Sequence, residues 1–162
     1  MLVRTALVIP VPEAEPLVAS LRSRYDRANE MRIPAHVTIM FPFGDCEDGL
    51  EELFAGLEPF DFALTEVRRW PGVLWLAPEP AEPFVALTTA LAESYPEHQP
   101  YEGEHDVVIP HLTVEHHEDV PREVDAELAR GLPVSARATH VVQLEEFEPD
   151  RWRGRQRFWL GR

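Results

Sequence analysis

The stretch Pro34-Ala35-His36-Val37-Thr38-Ile39 has a near copy in Pro110-His111-Leu112-Thr113-Val114, 75 positions further on. Each copy sets an imidazole and a hydroxyl two residues apart in a run rich in β-branched residues, the composition of a strand. Alternate residues of a strand share a face, so His36 and Thr38 point one way and Val37 and Ile39 the other. His111 and Thr113, with Leu112 and Val114 behind them, repeat the arrangement. The His and Thr of each copy then lie roughly 7 Å apart at their Cα atoms. Two polar faces, each with one proton-transfer group and one hydroxyl, suit a phosphate held between two imidazoles. A pair of structural His-Thr strands is the plainer reading. The matching prolines and apolar positions count against it.

The 162 residues suffice for one domain over 1–162, or for two small lobes sharing a core, and 44% hydrophobic content with four Trp and eight Phe can fill that core. The apolar run 2–11 is too short to span a bilayer, contains Pro10 and is followed by acidic residues, so a soluble, cytoplasmic protein is expected. Cys46 is the sole cysteine, which excludes an internal disulfide and a cysteine-rich zinc site. A formal net charge of −14 disfavours an extended nucleic-acid surface but leaves room for a small phosphorylated substrate or the end of an RNA. All fifteen basic residues are arginine. The lack of lysine excludes a lysyl-adenylate, a pyridoxal Schiff base and a phosphate loop ending in Gly-Lys-Ser/Thr.

The pattern predicts strands over 2–10 and 36–41, helices over 13–27 and 48–57 with Asp48 as the cap of the second, and strands over 60–70 and 72–76. A helix over 82–95, the second His-x-Thr strand, a helix over 122–132 and strands over 134–147 and 151–160 follow. Each half thus offers a helix, a His-x-Thr strand, a second helix and a strand pair. That order reads as an internal duplication of α+β class, each lobe a sheet with helices on its outer face.

His36-Val37-Thr38-Ile39 and His111-Leu112-Thr113-Val114 resemble the two H-x-T/S-x signatures, apolar in the last place, of the two-histidine (2H) phosphoesterase superfamily. Within it the chain looks most like the bacterial proteins labelled 2′-5′ RNA ligase or RNA 2′,3′-cyclic phosphodiesterase. The likeness spans essentially the full length. It implies a bilobal fold with two antiparallel-rich sheets around a central cleft, related by a pseudo-two-fold axis. It also implies no metal and no cofactor, and chemistry on a 2′,3′-cyclic phosphate or a 2′-5′ linkage, with a small cyclic-phosphate nucleotide or an RNA terminus as partner.

Opening a cyclic phosphodiester needs a base for water and an acid for the departing oxygen, and histidine serves as either near neutral pH. His36 and His111 are the candidates for these roles, in an order the sequence leaves open. Thr38 and Thr113 are the candidate donors to the non-bridging oxygens, where charge grows in the transition state. The alternative is a nucleotide- or RNA-end-binding module of the same fold without turnover.

Other features have blander readings. His116 and His117 beside Glu115 suggest a metal, yet His111 and His117 would lie roughly 20 Å apart on one strand. Arg151, Arg153, Arg155 and Arg157 alternate and would line one face of the last strand, read as a solvated edge rather than a phosphate rail aided by Trp152 or Trp159. Phe43 and Tyr101 are read as packing rather than base-stacking groups, and Arg68-Arg69-Trp70 marks the end of a hairpin.

Overall fold

The structure, a computed structural model, describes residues 3–25, 33–45, 48–100, 108–116, 120–149 and 151–162. Eight strands are ordered along the chain as β1 (Thr5–Pro10), β2 (His36–Phe43), β3 (Phe60–Trp70), β4 (Val73–Glu79), β5 (Leu112–Glu115), β6 (Val134–Ala138), β7 (His140–Glu148) and β8 (Arg151–Trp159). Four α-helices, α1 (Glu15–Tyr25), α2 (Leu50–Ala55), α3 (Glu82–Ser94) and α4 (Glu123–Arg130), and a 3-10 turn at Pro12–Ala14 complete the described elements. The strands pair antiparallel in the order β6-β3-β4-β5-β2-β1-β7-β8.

Two separate sheets were expected, and the pairing corrects this to one continuous sheet. Its halves, β6-β3-β4-β5 and β2-β1-β7-β8, are joined by the single pair Val37↔Leu112. The reason lies in the His-x-Thr strands themselves: their buried residues, Val37 and Leu112, are both fully excluded from water and belong to one core. Burying two such faces together is worth more than closing two small cores apart.

The long strand expected over 134–147 is two strands. Thr139 separates β6 from β7, and the buried positions slip phase there, from Ala136 and Ala138 to Val141 and Gln143. β6 is an edge of the sheet and β7 lies next to the opposite edge. One linking residue lets their facing Cα ends separate by no more than about 7.6 Å, whereas six strand spacings in a flat sheet would exceed about 28 Å. The sheet must therefore curl until its ends meet.

Helices cover the core face. α1 packs against β5 and α3 against β2, so each helix crosses onto the other half of the sheet, while α2 covers β8 and α4 covers β3. Phe84, Leu87 and Leu91 of α3 point into the core, and the Thr88 hydroxyl donates to the Ile39 carbonyl at 2.7 Å. Asp48 does not cap α2. That position belongs to Gly49, whose φ of +85° only glycine adopts cheaply; the Asp48 carbonyl instead accepts a hydrogen bond from the Tyr95 hydroxyl. Among the described residues no helix is long and apolar enough to cross a membrane.

Candidate active site

The pair Val37↔Leu112 sets the geometry of the site. In an antiparallel ladder the residues on either side of a pair also face each other, so His36 lies opposite Thr113 and Thr38 opposite His111. All four side chains project from the face away from the helices, each half-buried, with the two histidines on one diagonal and the two threonines on the other. All four residues singled out by the two motifs are thus brought together.

The two imidazoles are held alike. His36 Nδ1 lies 2.8 Å from the Pro34 carbonyl and His111 Nδ1 2.8 Å from the Ile109 carbonyl, each two residues back. A carbonyl oxygen only accepts, so each Nδ1 carries the hydrogen and Nε2 becomes the nitrogen able to take or give a proton. The backbone ahead of His36 is pinned as well. Ala35 N–H donates to the Glu15 carboxylate at 2.6 Å, and its carbonyl accepts from Val11 N–H at 2.8 Å.

Their surroundings differ. His111 meets Trp70 nearly perpendicularly, with ring centroids 4.8 Å apart, and Trp75 at 5.9 Å; the two indoles lie 4.3 Å apart. Burial pushes the His111 pKa below its ordinary value, the Ile109 carbonyl opposes that shift, and His116 adds to it. Trp75 is buried, and its register places it beside Thr113 on one side and Arg68 on the other. Arg68 stands 5.7 Å from the Trp75 ring, and Arg69, on the other face, grips Asp125 of α4 with bonds of 2.7 and 2.9 Å.

Of these neighbours the sequence reading names Trp70 without placing it and passes over Trp75 and Glu15. Trp75 was within reach, since Leu74 and Leu76 flank it as core residues and alternation sends it to the polar face. Glu15 meets Ala35 only in three dimensions. Phe43 is core, packed on Tyr95 and His98; Tyr101 and His117 lie outside the described residues. His116 is exposed, and among the described residues no three His, Cys, Asp or Glu side chains gather where they could hold a metal ion.

The arginine stripe does not line one face. The register shift from Gln143↔Gln156 to Leu144↔Gly154 leaves Arg155 as an extra residue, and the strand beyond it turns over. Arg153 pairs with Glu145, Arg151 with Glu148 and Arg155 with Asp45, while Arg157, opposite Val142, faces the same side as Thr38.

Comparison with solved structures places this fold among known ones. E. coli LigT in its apo form matches with a TM-score of 0.67 at 18% identity over 99% of both chains, and LigT complexed with 3′-AMP matches equally well over 100% of both. TT0787 of Thermus thermophilus gives 0.67 at 17% identity over 98% of both chains. No curated protein matches the sequence. The profile of the 2′-5′ RNA ligase superfamily, however, matches residues 10–148, a span that holds both His-x-Thr strands, and the chain belongs to that superfamily.

Proposed function

We propose that this protein is a metal-independent phosphodiesterase that hydrolyses a 2′,3′-cyclic phosphate or a 2′-5′ linkage at an RNA end or on a small nucleotide. His36 and His111 serve as acid and base, and Thr38 and Thr113 hold the phosphate. The observation that carries the reading is the diagonal placement of two imidazoles, each with Nδ1 tied to a carbonyl two residues back. Structures of E. coli LigT with 3′-AMP and with phosphate add that a relative of this fold binds such groups.

His111 is the base in this scheme. Its Trp-lined, desolvated setting favours the neutral ring, which at neutral pH has an open Nε2 lone pair. His111 Nε2 takes a proton from water as the water oxygen bonds to phosphorus. The bond to the departing ribose oxygen breaks, and protonated His36 gives that oxygen its proton. Solvent exchange then returns both rings to their starting states. Thr38 and Thr113 hydroxyls donate to the non-bridging oxygens as negative charge builds there. With a ribose 5′-hydroxyl in place of water, the same course joins ends: its oxygen bonds to the phosphorus of the cyclic phosphate, the bond to the 3′ oxygen breaks and that oxygen takes the acid's proton, leaving a 2′-5′ linkage.

The test is turnover of a panel of 2′,3′-cyclic nucleotides and 2′-5′ oligonucleotides in the presence of EDTA. Hydrolysis that survives the chelator supports the reading. Activity abolished by EDTA and restored by zinc or manganese would replace it with metal-assisted hydrolysis.

A further inference from the structure

One stretch of the site face has no part in the four-residue centre. Reading outward from Thr38 across the sheet, the register runs Thr38, Val8, Val142, Arg157, one residue from each of β2, β1, β7 and β8. Val8 and Leu144, with Ala6, form a second apolar cluster on this face, joined by Val142, Phe41 and Trp152. The floor is therefore apolar, and it ends in cations. Arg157 stands 5.5 Å from the ring of Trp159, Arg162 stands 4.5 Å from the same ring, and His140 lies against it at 5.2 Å.

Three features of this edge point to a ligand. Trp159 is 38% exposed, one of three large hydrophobic residues so open among the described residues. No carboxylate among the described residues pairs with Arg157 or Arg162, although their neighbours Arg151, Arg153 and Arg155 are all paired. The chain as a whole carries −14, so two such guanidiniums around one open indole run against the prevailing charge. Three strand spacings separate Arg157 from Thr38, roughly 14 Å along the sheet; Val8 and Val142 lie between them, and the Arg4 guanidinium over Phe41 and Trp152 of the same cluster is paired with Glu146.

We propose that the β7–β8 edge is a second nucleotide subsite, in which Trp159 stacks a base and Arg157 takes a backbone phosphate of the polynucleotide whose end occupies the His36/His111 centre. The proposal rests on the reading of that centre as a phosphate site. A base offers a π face whatever its identity, and a guanidinium offers a fork to the phosphate, so the pair suits a single strand of any sequence. An acidic peptide would use the arginines but bring no aromatic face to take the place of the Arg162 guanidinium on the Trp159 ring.

Binding tests this without requiring turnover. Calorimetric titration compares a 3′-phosphorylated tetraribonucleotide with the corresponding 3′-mononucleotide, on the wild type and on Arg157→Ala, Trp159→Ala and Trp159→Phe. The wild type is expected to bind the tetranucleotide roughly tenfold more tightly, as one stacked base permits. Trp159→Ala should collapse that ratio towards one and Trp159→Phe should retain most of it. Arg157→Ala should lower the slope of log K against log salt for the tetranucleotide by about 0.7, the signature of one lost phosphate contact on a single strand. Equal wild-type affinities, an unchanged ratio in Trp159→Ala, or an Asp/Glu-rich peptide binding as tightly as the tetranucleotide would each overturn the subsite. Failure to hydrolyse any cyclic phosphate would instead count against the catalytic reading, and the two failures are separate measurements.

Discussion

The rings of Trp70 and His111 meet at 77° with their centroids 4.8 Å apart, and Trp75 closes a second side of the imidazole at 70°. An imidazole edged by two indoles loses water, and a protonated ring loses more by this than a neutral one. Replacing Trp70 with Ala admits water and raises the His111 pKa towards its ordinary value. The fraction of neutral base then falls at a higher pH, so the acid limb of the kcat/KM profile moves upward. NMR titration of His111 Cε1–H reads the shift directly; a profile unchanged by Trp70→Ala would mean that the indole does not set the titration.

His36→Ala and His111→Ala are each expected to lower turnover by a factor on the order of 10² to 10⁴, the usual contribution of general acid–base catalysis. The double variant should lose far less than the product, because base and acid act on one transition state. Steady-state rates on a 2′,3′-cyclic nucleotide measure this, and full activity in either single variant would contradict the assignment.

Thr38→Val and Thr113→Val keep the shape of the side chain and remove the hydroxyl. The expected loss is mainly in kcat, on the order of 10² for a donor aimed at developing charge, with a smaller rise in KM. Serine at either position should recover most of the rate. Valine tolerated at both positions would make the threonines structural.

Glu15 accepts the Ala35 N–H one residue before His36, at 2.6 Å. Glu15→Ala leaves that donor without its partner and should destabilise the protein by about 1–3 kcal/mol, the cost of a charge-assisted bond lost from a part-buried site. It should also lower kcat more than it raises KM, because His36 is then less well placed. Glu15→Gln restores an acceptor and should recover most of both. Thermal denaturation and steady-state kinetics on the two variants check this.

Two imidazoles sharing one proton give a bell-shaped rate profile whose limbs belong to the pair. Burial of His111 favours its neutral ring, the form that the base requires. A rate that rises through a single ionisation and never falls would exclude a paired acid and base.

Local reading of the chain is enough to single out the four residues that the sheet brings together, because a period of two in a strand belongs to the strand itself: His36 and Thr38 share a face whatever the strand pairs with. It is enough for the family likeness and for most strand and helix positions for the same reason, since alternation and helical spacing are carried by neighbours along the chain. The assembled sheet settles what those local signals leave open. Pairing is a choice among partners far apart in sequence, so nothing near Val37 announces Leu112 as its neighbour or one sheet in place of two. The split at Thr139 is written in the phase of buried residues, but that β6 and β7 go to opposite ends of a curled sheet is not. The bulge at Arg155 rotates one arginine of four onto the site face, an effect of register with β7 that a period-two reading of β8 does not contain. Likewise Trp70, Trp75 and Glu15 reach the histidines across strands and from a helix, and contacts between elements follow from the fold as a whole.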